Sequence, residues 1–219
     1  MIIWQMIKSF AIFFRSSWQV TYGTWRVLRL PQPIITIFGG SRAQENDEYS
    51  HHAYVLARDL ASKGFSIVSG GGPGVMKAVG CGAADATTPR GTHTLGIRVH
   101  GIDETFKNTC APIVHVSNFF TRKWLLMRYS AGFIVFPGGI GTVNEFFEVL
   151  NELKHKRYGP APVVLINSTY WQGLLTWFRG EALEHDFVTQ DYVKFIVVTD
   201  SLEEAVQLVT AKQQPPKDA

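Results

Sequence analysis

Two rhythms of apolar residues alternate along the chain. Short, nearly continuous apolar runs at 34–38, 65–69, 93–99, 112–116, 131–136, 162–166 and 195–198 read as buried strands. Between them lie stretches with helical spacing. Over 47–63, Ala53, Leu56, Ala57, Leu60 and Ala61 share one face, and Gly64 is placed to end the helix. Further helices are expected over 74–85, 119–130 and 143–154, around Tyr170-Trp171 and Trp177, and over 201–211. Asn118 and Ser201 are placed to cap two of these. The helix at 74–85 is rich in small residues (Ala78, Gly80, Gly82, Ala83, Ala84), which predicts close packing on a sheet or a ligand. Strands alternating with helices predict an α/β fold, a doubly wound, mostly parallel sheet with helices on both faces, Rossmann-like in architecture.

The first 30 residues stand apart. They are crowded with Trp, Phe and Ile, but Lys8 and Arg15 interrupt the apolar pattern. No uncharged run reaches the ~20 residues that a membrane-spanning helix needs. The pattern favours an amphipathic helix packed on the body or on another subunit over contact with a membrane. Pro31-Gln32-Pro33 should end it. The expected organisation is a helical segment over 1–30, a nucleotide-binding domain over 31–212 and a polar, fraying tail over 213–219. Residues 86–92 and 100–111 read as irregular.

Composition narrows the function without naming it. With 46% hydrophobic and 18% charged residues, the 219-residue chain is ordinary for a globular domain. Its net charge of +3, with no long basic block, argues against nucleic acid as a partner. The two cysteines, Cys81 and Cys110, form no CxxC and have no paired histidine spacing. They fit a reducing cytosol and give no metal signature. Neither a metal nor a cofactor is called for.

Chemistry concentrates in the turns. Three strands run into glycine-rich turns: Gly39-Gly40-Ser41-Arg42, Gly70-Gly71-Gly72-Pro73-Gly74, and Pro137-Gly138-Gly139-Ile140-Gly141-Thr142. A strand, a glycine turn and a helix start together favour an anion, because the first helical N–H groups lack partners and the macrodipole is positive there. In a doubly wound sheet all three turns fall on the same edge, so they predict a nucleotide-phosphate site. Two readings fit Thr142 and Glu145. They form a capping box, with Thr142 as N-cap and Glu145 bonding back to it, or Glu145 is a carboxylate held beside a phosphate-bearing ligand for acid–base work.

The third turn, with Pro137-Gly138-Gly139, Gly141-Thr142 and Glu145, resembles the signature of the LOG family, the cytokinin riboside 5′-monophosphate phosphoribohydrolases, often mislabelled lysine decarboxylases. Gly39 to Arg42 resembles the family's first phosphate turn and Gly70 to Met76 its second. Phe119-Phe120-Thr121-Arg122-Lys123 is similar to its arginine–lysine element. The resemblance implies hydrolysis of the N-glycosidic bond of a nucleoside 5′-monophosphate, and a homodimer or larger oligomer with its site at the subunit interface. It implies Arg122 and Glu145 as the catalytic pair. Ser41, Gly71, Gly72, Lys123, Gly138, Gly139, Gly141 and Thr142 are implied to bind substrate. Arg42 and Arg128 rank behind them, as phosphate contacts or surface residues. Asn151 and Lys154 depart from the family pattern on the base side. The rival reading is a non-catalytic nucleotide or cofactor carrier on the same fold. A decarboxylase would need a Schiff-base lysine with an acidic partner for its cofactor, and no lysine has that setting in the sequence.

Overall fold

The computed structural model describes residues 2–44, 46–86, 93–102, 106–107, 110–157 and 159–211. Its frame is a seven-stranded parallel sheet in the order β4-β3-β2-β1-β5-β6-β7. The strands are β1 (Ile34–Phe38), β2 (Ser66–Ser69), β3 (Thr94–Val99), β4 (Ile113–Val116), β5 (Ser130–Val135), β6 (Val163–Ile166) and β7 (Ile196–Thr199). All seven fall on the apolar runs of the sequence. The order runs outward from β1 in one direction to β4 and from β5 in the other to β7, so the fold is doubly wound.

Parallel strands buried on both faces favour apolar side chains at most positions, and alternation then divides them between two cores. Ile34, Phe38, Phe133, Val135, Val163 and Leu165 point to one side, where they meet α1 (Ile2–Leu28), α4 (Phe119–Met127), α5 (Ile140–Lys154) and α6 (Ser168–Arg179). Ile35, Ile37, Ile67, Ile134, Val164 and Ile166 point to the other. There they meet α2 (Glu48–Ser62), α3 (Val75–Ala84) and α9 (Leu202–Thr210). Two short helices, α7 (Glu181–Glu184) and α8 (Gln190–Lys194), fill the stretch before β7, to which the sequence pattern assigned no element. The expected tail at 213–219 and most of the loop at 86–92 lie outside the described residues.

The small residues of α3 pack on a helix. Gly82 lies against the backbone of Tyr54 in α2, where a built Cβ would be 2.8 Å from the carbonyl carbon. The two cysteines, read from spacing as reduced, are instead joined as a disulfide, Cys81–Cys110, with Cα atoms 4.7 Å apart. They are 29 residues apart in sequence. No local motif signals the pair, because only the return of the chain past β3 brings Cys110 back to α3.

Substituting Gly82→Ala should force α2 and α3 apart and lower the unfolding free energy by about 2 kcal/mol. Denaturant melts of the two proteins check this.

Candidate active site

Strand order reverses between β1 and β5, and the carboxyl ends of the strands there open into a cleft of about 770 Å³. Such switch points are where doubly wound sheets bind ligands. All three glycine turns reach the cleft, and they are bonded to one another. Gly40 N–H donates to the Pro137 carbonyl at 3.0 Å, and the Gly40 carbonyl accepts from Val75 N–H at 3.1 Å. This stitching needs bare backbone. A Cβ on Gly74, whose φ is +66°, would come within 2.5 Å of the Gly40 oxygen. One on Gly138 would lie 2.8 Å from Gly40 N and overlap Thr142.

Helix α5 begins earlier than the periodicity suggested, and this decides between the two readings of Thr142. The first helical bond runs from Val143 N–H to the Gly139 carbonyl, and Gly139 is the N-cap. Thr142 is therefore inside the first turn and is not a cap, so the capping box is not formed. The glycines allow this tight entry without a side-chain cap. The N–H groups of Ile140, Gly141 and Thr142 are left as the helix's unpaired donors. A Cβ built on Gly139 or on Gly141 meets nothing within 4 Å, so the space above both is open cleft.

Glu145 lies one turn further along α5. It is 6% exposed, and its Oε1 is 2.9 Å from Nη1 of Arg122 on α4. The Oε1 atom makes this ion-pair contact without a well-directed hydrogen bond. Arg122 is fixed from behind, its Nε donating to the Ile97 carbonyl at 3.2 Å. Gly70 leaves room for its guanidinium, since a Cβ there would overlap Nη2. Burial pushes the Glu145 carboxyl above the ordinary carboxylate range, while Arg122 and then Lys123 pull it back and Glu148 pushes it up again.

The other expected site residues divide into two sets. Ser41, Gly72, Gly138, Gly139, Gly141 and Thr142 line the cleft with Arg122 and Glu145, and so does Arg42. Gly71 and Lys123 do not. Gly71, with φ +69°, turns its α-carbon toward Gly96 and Ile113 of the neighbouring strands. Lys123 follows Arg122 on α4 and so points about 100° round the helix, to Glu148, at 2.5 Å. Arg128 is the C-cap of α4, outside the cleft wall. Asn151 and Lys154 are at the far end of α5, facing Tyr192 and Asp191.

Two functional candidates were missed. Arg98 lines the cleft from β3, 8% exposed, its Nη1 donating to the Phe106 carbonyl at 2.7 Å. A lone cation inside a buried-strand run was the signal for it. The Tyr170 hydroxyl donates to the Gly138 carbonyl and braces the third turn from α6. Only the tertiary fold shows that. Among the described residues there is no group of three or more His, Cys, Asp or Glu able to hold a metal ion.

The raised Glu145 carboxyl makes a prediction about stability. The folded state favours the neutral acid, so this group's contribution is present below the ordinary carboxylate value. It is lost as pH rises through the raised one. Glu145→Gln should therefore gain on the wild type as pH rises through that window. The unpaired Arg122 charge adds only an offset that does not change with pH. Denaturant unfolding of both proteins across a pH series reads the slope. Parallel curves would mean that Glu145 titrates normally.

Comparison with known proteins places the chain. Residues 76–209 match the sequence profile of the family described as "Possible lysine decarboxylase". A protein of Oryza sativa subsp. japonica named "Probable cytokinin riboside 5'-monophosphate phosphoribohydrolase" is 31% identical over 176 residues, 77% of this chain and 79% of its own. A cytokinin riboside 5'-monophosphate phosphoribohydrolase of Rhodococcoides fascians is 28% identical over 180 residues, 80% of this chain and 88% of its own. Among solved structures, the molybdenum cofactor binding protein of Rippkaea orientalis superposes with a TM-score of 0.61 at 21% identity. It covers 84% of this chain and 98% of its own, and shows the same fold. By its matched profile and its relatives, with the glycine turns and Glu145 in place, the chain belongs to the LOG family.

Proposed function

We propose that the protein hydrolyses the N-glycosidic bond of a nucleoside 5′-monophosphate carrying an adenine-type base, releasing the free base and ribose 5-phosphate. The observation that carries this reading is the buried Arg122–Glu145 pair beside the open start of α5. The 5′-phosphate sits on the free N–H groups of Ile140, Gly141 and Thr142, in the space that Gly139 and Gly141 leave clear. Ribose C1′ then lies near Glu145. Water adds to C1′ as the C1′–N bond breaks. The bonding electrons leave with the base, which takes up a proton, and one water is consumed per bond cleaved. Positive charge builds on the ribose in that transition state, and a carboxylate in a poorly solvated cleft stabilises it or accepts the proton of the attacking water. Arg122 opposes the upward push that burial gives Glu145, favouring its ionised form, and offers a planar fork to a ribose hydroxyl.

The carrier reading uses the same cradle, but a carrier has no need of a buried carboxylate at this point. The decarboxylase description finds no support in the cleft, whose described wall contains no lysine. A homodimer or larger oligomer is part of the proposal. Ile140 is 90% exposed at the rim, with Phe119 and Phe120 exposed on α4, and a second copy closing that side would cover them.

Incubating the protein with AMP and with isopentenyladenosine monophosphate, and following free base by chromatography, tests the reaction. The wild type should release base. Glu145→Gln should lower kcat by roughly 10²- to 10⁴-fold while still binding nucleotide. Binding without cleavage of either nucleotide by the wild type would reject the hydrolase in favour of the carrier.

A further inference from the structure

Helix α1 is an amphipathic helix mounted with its apolar face outward. It meets the body only from Ser16 onward, and there along one side; residues 2–15 are exposed all round. Gln19 Oε1 accepts from Ser117 N–H at 2.9 Å and from its hydroxyl at 2.7 Å, and Ser16 Oγ accepts from Asn118 Nδ2 at 2.8 Å. Gly23 packs against Leu125, and Val27 is buried. At 100° per residue these positions share one face. The opposite face carries Ile3, Ile7, Phe10, Phe14, Trp18 and Trp25, exposed by between 46% and 74%. An apolar stripe over most of a 27-residue helix is far more than scattered surface exposure and needs an occupant.

Charge identifies the occupant. Residues 1–44 contain Lys8, Arg15, Arg26, Arg29 and Arg42 and no Asp or Glu. Three of these cations lie over aromatic rings bordering the stripe: Lys8 on Trp4 at 5.2 Å, Arg26 on Tyr22 at 5.9 Å and Arg29 on Trp25 at 4.0 Å. A second copy of α1 laid on this face would bring the same cations and no acid to meet them. An anionic lipid surface supplies both missing partners: an apolar layer for the stripe and phosphate headgroups for the cations along its edge. Tryptophan is also the side chain that favours that boundary. Among the described residues no helix is long and apolar enough to cross a membrane, which leaves the orientation parallel to the surface.

We propose that α1 docks this protein on anionic lipid through its outward apolar face, with Lys8, Arg15, Arg26 and Arg29 reaching the headgroups. The proposal is independent of the reaction assigned to the cleft.

Flotation of the full chain with phosphatidylglycerol–phosphatidylcholine vesicles, and with phosphatidylcholine alone, tests it. The chain should float with the anionic vesicles only, and less at high salt. Lys8→Gln with Arg15→Gln should weaken partitioning roughly thirtyfold, about fivefold per cation. Phe10→Glu with Phe14→Glu should abolish it. These positions are exposed, so both variants should keep the wild-type melting profile and nucleotide binding. Failure of the wild type to float would overturn the proposal, as would equal flotation with neutral vesicles or flotation unchanged by both variants. If the wild type ignores vesicles and Phe10→Glu with Phe14→Glu dissociates an oligomer on sizing with light scattering, the face belongs to a second copy.

Discussion

A buried carboxylate is unfavourable unless a cation stands beside it, and Glu145 has Arg122 at 2.9 Å. Much of the structure around the cleft serves that contact. Gly70 is bare so that the guanidinium fits, and the Ile97 carbonyl holds Nε from the far side. Helix α4 carries Arg122 near its start, where Asn118 caps it by accepting from Thr121 N–H at 2.9 Å. Helix α5 carries Glu145, and its entry is fixed by the turn that Gly40 and Tyr170 brace. Two strand ends, three turns and two helix starts converge on one ion pair. A second cross-link between these helices runs from Lys123 to Glu148, whose charges act on Glu145 in opposite directions.

The fold was legible because buried parallel strands must be apolar on both faces. Each of the seven runs gave a strand, and the alternation of Ile34 and Ile35 between the two cores explains why both are Ile. The glycine turns were legible for a related reason: glycine is required wherever backbones approach as closely as Gly40, Gly74 and Gly138 do. What failed was detail that depends on tertiary geometry. The T-x-x-E spacing suggests a cap, yet the helix starts at Ile140, because a glycine turn can enter a helix without a polar N-cap. Neighbours in a motif separate in space, as Arg122 faces the cleft while Lys123 faces Glu148. Gly71 serves strand packing although Gly72 lines the cleft. The Cys81–Cys110 bridge has no local signature at all.

Helix α1 connects the two functional readings physically. The residues it holds, Ser117 and Asn118, are the entry and cap of α4, and Arg122 follows one turn later. The element that presents an apolar face to its surroundings therefore also buttresses the start of the helix bearing Arg122. Its sequence showed the amphipathic pattern, but only the packing of Gly23 on Leu125 shows which face is turned outward.

The central claim is that Glu145 acts as an ionised carboxylate, disfavoured by burial and sustained by Arg122. The pH dependence of kcat/KM for nucleotide hydrolysis, measured for the wild type and for Arg122→Gln, tests it most directly. The acid limb of the wild type should lie above the ordinary carboxylate range. Removing the guanidinium should move that limb to still higher pH while lowering the plateau. An acid limb in the ordinary range, or one that stays in place when Arg122 is neutralised, would contradict the account.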